Sequence, residues 1–236
     1  MQKKSLIGKT LSQLKEIVNS LGLPTFTAKQ IAEWIYKKRV LCIDEMTNIS
    51  LKNRELLNDQ YQVGRYLPIE QTISIDGTKK YLFGTTSDFF IETVYIPEED
   101  RHTLCVSSQI GCKMNCLFCM TGKQGFNGQL TAQGIINQVL SIDEASIISN
   151  IVFMGMGEPM DNLTELLIAI EILTSDYGLA WSPKRITVST IGIIPKLILF
   201  LEQTKCHLAI SLHSPFSNER LKLMPIEKVY PLNDLL

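Results

Sequence analysis

Apolar stretches in this 236-residue sequence stop at five residues, as in Leu197–Leu201. A bilayer-spanning helix needs roughly 20, so no membrane association is expected. Lys3, Lys4, Lys9 and Lys15 are followed by no apolar run, so no secretory leader is read there and a soluble, cytoplasmic protein is expected. Cysteine is scarce. There are six, and three of them fall within eight residues, at 112, 116 and 119. A disulfide framework spreads its cysteines along the chain, whereas clustered thiols without a secretion signal more often bind metal. Neither sign of charge is in excess: the net charge is −1, which argues neither for nor against nucleic acid.

The charge is unevenly placed. Residues 1–65 hold 11 Lys/Arg against 6 Asp/Glu, and the rest of the chain holds 12 against 18. A basic N-terminal third on an acidic body suits a module that meets a polyanion. It equally suits a solvated helical surface.

Three segments follow from composition and period, namely a helical module over 1–65, a β-rich connecting segment over 66–100 and an α/β core over 101–236. Leu11, Leu14, Ile17 and Val18 recur at helical spacing until Gly22-Leu23-Pro24 stops them. Thr27 with Gln30 reads as a capping box leading into Ile31, Ile35 and Tyr36, and a further helix is expected over 51–60. Residues 70–75 and 80–83 around Asp76-Gly77 read as a β-hairpin. Strands are expected at 89–96 and 102–107. From there strands and helices alternate: a helix from Thr131 to about 145, a strand at 151–154, a helix capped by Asp161 or Asn162, a strand at 185–189, a helix at 194–203 and a strand at 207–212. Alternation of this kind means a parallel sheet, with chemistry at the C-terminal ends of its strands. The expected fold is therefore α/β, with about four of the units of a (β/α) barrel, a small helical domain and a β-hairpin region.

Cys112, Cys116 and Cys119 form C-x3-C-x2-C. Three thiolates are one fewer than a closed tetrahedral site or a fully cysteine-ligated four-iron cluster needs, and an open coordination position is where metal chemistry on a substrate takes place. Three readings of the spacing stand: a [4Fe-4S] cluster on three cysteines, zinc with Cys105 as fourth ligand, or, least favoured, three ordinary buried cysteines. Forty residues on, Gly155-Met156-Gly157-Glu158-Pro159 follows a strand. Its glycines suit close approach of a ligand to the backbone, and Glu158 suits an ammonium group.

Together these motifs resemble the radical S-adenosylmethionine superfamily. The segments Thr103–Cys112, Gly125-Phe126-Asn127, Met154–Pro159 and Leu208–His213 more closely resemble the RlmN/Cfr RNA methyltransferases, over nearly the whole chain. The resemblance implies a [4Fe-4S] cluster on Cys112, Cys116 and Cys119 whose open iron chelates S-adenosylmethionine. It implies cofactor contacts from Gly157, Glu158, Ser189, Ser211, Leu212 and His213. It implies Glu92 as proton acceptor and Cys105 as the thiol that resolves a protein–RNA crosslink. From their own surroundings, Glu92 reads equally as a solvent-side carboxylate and Cys105 as a plain buried thiol. The implied activity is methylation of adenine carbon 2, the housekeeping reaction of this family, in 23S ribosomal RNA, with transfer RNA as a second candidate substrate. Carbon 8 is the alternative target. An electron donor such as flavodoxin or ferredoxin is implied as a partner.

In one respect the sequence departs from the pattern. The resemblance implies a methyl-carrying cysteine in the C-terminal part, and no cysteine follows Cys206. A C-terminally truncated family member is expected, with apolar edges where the rest of the barrel belongs. A binding fragment that holds cluster, cofactor and RNA without turnover is the alternative. Cys42 and Cys206 read as structural, and Trp34 and Tyr36 as core residues more readily than as a stacking platform for bases.

Overall fold

The computed structural model describes residues 3–85 and 88–235. A two-residue strand β1 (Lys4–Ser5) precedes helix α1 (Leu11–Ser20). Thr10 caps α1 in a capping box with Gln13: its hydroxyl accepts from the Gln13 N–H, and the Gln13 side chain accepts from the Thr10 N–H. The box expected at Thr27 does not form. The Thr27 N–H already donates to the Pro24 carbonyl and the Ala28 N–H to Thr25. Helix α2 (Thr27–Ala32) thus grows out of a turn begun at Pro24, and Thr27 is buried inside it. A π turn over Glu33–Lys37 extends α2, Ser50 caps α3 (Leu51–Gln60), and β2 (Tyr61–Gln62) pairs parallel with β1.

The period then changes from helix to strand. β3 (Glu70–Ile73), β4 (Lys79–Gly84), β5 (Phe90–Pro97) and β6 (His102–Cys105) run antiparallel in sequence order. The hairpin at Asp76-Gly77 is as expected, with Gly77 at φ +82. A short ribbon follows, β7 (Gln109–Gly111) paired antiparallel with β8 (Phe126–Gln129), and the cysteine loop and the one-turn helix α4 (Met120–Lys123) lie between them. Helix α5 (Ala132–Leu140) is capped by Thr131 and ends five residues short of the expected 145. After β9 (Asn150–Phe153), a 3-10 turn over Pro159–Asn162 runs directly into α6 (Leu163–Thr174). Asp161 and Asn162 are therefore inside the turn, and the side chain that accepts from its first N–H, that of Met160, belongs to Glu158. β10 (Ile186–Thr190), α7 (Ile194–Gln203), β11 (His207–Ile210), α8 (Ser217–Leu223) and α9 (Leu232–Leu235) complete the described chain.

The main sheet has seven strands in the order β11-β10-β9-β6-β5-β4-β3. The four from β6 to β11 are parallel, as alternating strand–helix units require. The strands over 70–97 continue that same sheet. One face of the sheet is closed: Tyr81, Phe83, Ile91, Leu104, Ile151, Phe153, Ile186 and Val188 are all buried. β11 is an outer strand, and Ile198, Leu199 and Leu201 of α7 are exposed.

By its contacts the chain forms two compact units. One comprises Met1–Leu67, Thr131–Ile142 and Leu167–Trp181; the other comprises Pro68–Leu130, Asp143–Leu166 and Ser182–Leu236. In the first, Leu14, Val18, Ala28, Ile31, Ile35 and Tyr36 are buried. Burial pushes the Tyr36 hydroxyl far above its ordinary pKa, and this hydroxyl donates to the Lys9 carbonyl at 2.5 Å. Trp34 is half-buried, donates to Asn48 Oδ1 at 2.5 Å and carries Lys38 Nζ 3.7 Å above its ring. Both aromatics are thus engaged within their own unit. The second unit holds the main sheet and every expected site residue.

Candidate active site

Strand register gathers three expected residues on one face of the sheet. Val94 pairs with Cys105, Cys105 with Val152, and Val152 with Thr187. Glu92 lies two residues from Val94 and Ser189 two from Thr187, so strand alternation puts Glu92, Cys105 and Ser189 on the face opposite the closed one. All three are half-buried. Glu92 pairs with Lys80 Nζ at 2.9 Å, and its backbone carbonyl accepts from Ser107 Oγ at 2.6 Å. Burial raises the Cys105 thiol above its ordinary pKa, against a hydrogen bond from the Met154 backbone that lowers it.

The loop after β9 is fastened to the segment before β7. The Met156 carbonyl accepts from the Ser108 and Gln109 N–H groups at 2.8 and 3.1 Å, and the Met156 N–H donates to Ser107 Oγ at 2.8 Å. Gln109 is fully buried. Its Oε1 accepts from the Glu158 N–H at 2.7 Å, and its Nε2 donates to Asp161 Oδ2 at 2.7 Å and Gln129 Oε1 at 2.8 Å. Packing within the chain requires both glycines. A Cβ on Gly155 would stand 2.7 Å from Ser107 Oγ, and one on Gly157, at φ +99, would stand 2.4 Å from Gln109 Cβ. Glu158 is 4% exposed and spends its carboxylate on its own chain. Thr190 Oγ1 donates to it at 2.5 Å, the Ile191 N–H at 3.0 Å and the Met160 N–H at 3.1 Å. Burial outweighs these donors and raises its pKa to about 7.

The cysteine loop leaves β7 at Gly111, whose φ is +77. A Cβ there would stand 1.9 Å from the Gly125 carbonyl oxygen, to which the Cys112 N–H donates at 2.9 Å. Cys112 and Cys116 are buried, Cys119 is half-buried, and Leu117, Phe118 and Met120 are exposed. Cys116 packs against Ile191, at the end of β10, and Met224, after α8. The Leu117 N–H donates to the Leu223 carbonyl. Burial raises the Cys116 thiol to about 11; the neighbouring Cys112 and Cys119 add to the rise and Arg220 opposes it. Phe118 lies against the His213 ring with centroids 4.1 Å apart. His213 adopts φ +57, and Ser211 Oγ is 3.4 Å from Ser189 Oγ. The structure therefore brings the cysteine loop to Ile191 and His213, which follow β10 and β11, while Ser211 and Ser189 meet between those strands. Leu212 is exposed beside them.

The chain matches two family models. Residues 4–63 match the ribosomal RNA large subunit methyltransferase N-terminal domain, and residues 106–232 match the radical SAM superfamily. A probable dual-specificity RNA methyltransferase RlmN of Parabacteroides distasonis is 57% identical over 236 residues, all of this chain and 69% of that protein. The chain belongs to the RlmN family of radical SAM methyltransferases. A probable RlmN of Bacteroides thetaiotaomicron is 56% identical over all of this chain and 68% of its own length. The dual-specificity RNA methyltransferase RlmN of Pseudomonas entomophila is 41% identical over 99% of this chain and 64% of its own. A radical SAM methyltransferase from Sphaerobacter thermophilus superposes with a TM-score of 0.90 at 35% identity, covering 98% of this chain and 70% of that one.

The family implies a [4Fe-4S] cluster and S-adenosylmethionine, and the donor set of the loop suits the cluster: three soft thiols on one short segment, close enough to perturb one another. Among the described residues no three His, Cys, Asp or Glu side chains, Cys105 included, converge around a single ion. Thiolates on separate corners of an iron–sulfur cube stand further apart than ligands of one ion. Gln109, Asp161 and Asn162 went unnoticed as framework residues in the sequence. Asn162 Nδ2 donates to the Ser108 and Leu130 carbonyls at 2.8 and 2.7 Å, and Asp161 meets Lys113 Nζ at 2.8 Å. Gln109 lies within the Thr103–Cys112 motif, whereas Asp161 and Asn162 lie outside every motif and carry only a helix-cap signal.

Proposed function

We propose that this chain carries the radical SAM core of an RNA methyltransferase that modifies carbon 2 of adenosine in 23S ribosomal RNA and in transfer RNA. The observation that carries the reading is the meeting of the cysteine loop with the ends of β10 and β11, on a chain that belongs throughout to the RlmN family. Cys112, Cys116 and Cys119 would hold three irons of the cluster. Cluster and S-adenosylmethionine together supply one-electron cleavage of a carbon–sulfur bond. Ser189, Ser211 and the Leu212-His213 pair line the space beside the loop, and the Phe118–His213 contact covers it. Glu158 fixes the loop after β9 through three donors of its own chain, so that Gly157 presents its backbone at a defined place. On the open face Glu92 accepts the proton lost by the ring carbon, with Lys80 holding its carboxylate. Cys105, two strand positions along the same face, is the thiol that resolves the linkage to RNA.

Carbon 2 rather than carbon 8 follows from the relatives, which are dual-specificity RlmN enzymes, and from the N-terminal domain match. A flavodoxin or ferredoxin would deliver the electron. No helix among the described residues is long and apolar enough to cross a membrane, and a cytoplasmic location belongs to the proposal.

The test is anaerobic reconstitution with iron and sulfide, followed by methyl-labelled S-adenosylmethionine and ribosomal RNA. The chain is assayed alone and joined to the remaining third of a relative. Formation of 5′-deoxyadenosine by both, with label at adenine carbon 2 from the joined protein, is the expected result. Label at carbon 8, or no cleavage of S-adenosylmethionine by either protein, overturns it.

A further inference from the structure

The loop of thiols is backed by a charged pair that its chemistry does not at first require. Arg220, in α8, is fully buried, and Glu227, in the 3-10 turn after it, is 5% exposed. Arg220 Nη1 pairs with Glu227 Oε2. Nη2 donates to the Ile191 carbonyl at 2.7 Å. Glu227 Oε1 accepts from the Leu232 N–H at 3.0 Å. The guanidinium thus ties the end of β10, α8, the turn and α9 together. Two of these segments are the ones Cys116 rests on, through Ile191 and Met224. The Nε–H of Arg220 is buried without a partner among the described residues.

A buried ion pair is weak as a stabilising device, because desolvation of both charges offsets their attraction, and apolar replacements of similar volume serve as well. An unpaired buried N–H adds a further cost. A fixed cation is useful, however, where an anion is to be held, and a cluster ligated by thiolates is anionic. Hydrogen bonds and fixed charge near such a cluster set its reduction potential.

We propose that Arg220, oriented by Glu227, is a positioning residue for the iron–sulfur centre: it fixes the seat of Cys116 and offsets the negative charge of the cluster. This rests on the assignment of the three cysteines as cluster ligands. Removal of the cation makes addition of an electron harder, and removal of the compensating carboxylate makes it easier.

The experiment compares the unaltered chain with Arg220→Met, Arg220→Lys and Glu227→Gln, each reconstituted anaerobically. Iron and sulfide content, thermal unfolding of the cluster-free chain and the midpoint potential of the cluster are measured. Arg220→Met is expected to retain less than half the iron and to shift the potential negative. Glu227→Gln is expected to shift it positive, and Arg220→Lys to stay near the unaltered chain in potential while losing some iron. A merely structural pair would lower iron content without opposite shifts. Equal potentials in all four proteins, or shifts of one sign in Arg220→Met and Glu227→Gln, overturn the proposal and leave the cysteine assignment standing. If Arg220→Met does not fold, an unchanged or negative-shifted potential in Glu227→Gln overturns it alone. Absence of iron and sulfide from the unaltered chain overturns both.

Discussion

Gln109 and Glu158 are buried, and each spends its side chain on three partners within the chain. In the cysteine loop, by contrast, Leu117, Phe118 and Met120 are 64%, 48% and 66% exposed. One half of the site is therefore a finished frame, with its shape fixed by its own polar groups. The other half presents Leu117, Phe118 and Met120 outward from anchors at Gly125, Ile191 and Leu223. A site of this kind separates two demands: the frame sets where a ligand sits, and the loop supplies what binds it.

The strongest challenge to this contrast lies at Gly111, where frame meets loop. Alanine there must place a methyl 1.9 Å from the Gly125 carbonyl oxygen at φ +77. A loss of at least about 3 kcal/mol is expected in urea unfolding. An equally stable Gly111→Ala chain would show that the frame is looser than described.

The next effect is on pH dependence. Glu158 has its folded-state pKa raised from 4.5 to about 7, so the folded chain holds this proton more tightly than the unfolded chain does. The associated stability is complete below about pH 4.5 and is lost as pH rises through 7, by at most about 3 kcal/mol. Urea midpoints measured from pH 4.5 to 8 should fall over this window in the unaltered chain and lie flatter in Glu158→Gln. A rise in the unaltered chain would place the carboxylate in a wetter setting than the frame allows.

Gln109→Ala leaves the buried Glu158 N–H without its acceptor, at a cost of about 2 kcal/mol in urea unfolding. On the loop side, Cys119→Ala should change stability by less than about 1 kcal/mol while iron retention after reconstitution falls to background. A large stability loss would blur the division between the two halves. Smallest of all is Lys80→Ala. It removes a pair whose side chains are 50% and 45% exposed, and less than about 0.5 kcal/mol is expected in thermal unfolding. Any larger effect would mean that the open face is more enclosed than its exposure implies.

Much of this architecture was legible from local pattern. α1 follows from apolar spacing, and β4, β5, β10 and β11 from short apolar runs between turn residues. Pattern failed where a tertiary or neighbouring contact decided the outcome. Thr27-x-x-Gln30 and Thr10-x-x-Gln13 carry the same signature, yet only Thr10 caps a helix, because Pro24 begins the turn before Thr27 is reached. Asp161 and Asn162 look like caps, but they serve long-range partners instead, and Glu158 takes the terminus. The glycines of the loop after β9 read as room for a ligand. In the folded chain their missing side chains also make room for Ser107 and Gln109, residues nearly fifty positions away, and no local window shows that.

The shared face of Glu92 and Cys105 depends on strict two-residue alternation through β5 and β6. An insertion or deletion of one amino acid between Glu92 and Val94 would turn the carboxylate into the apolar interior while leaving the strand itself able to pair. The hairpin tip at Asp76-Gly77 is under no such restriction. Drift in chain length during descent is therefore open at that tip and closed, one codon at a time, along the strand that bears the acid.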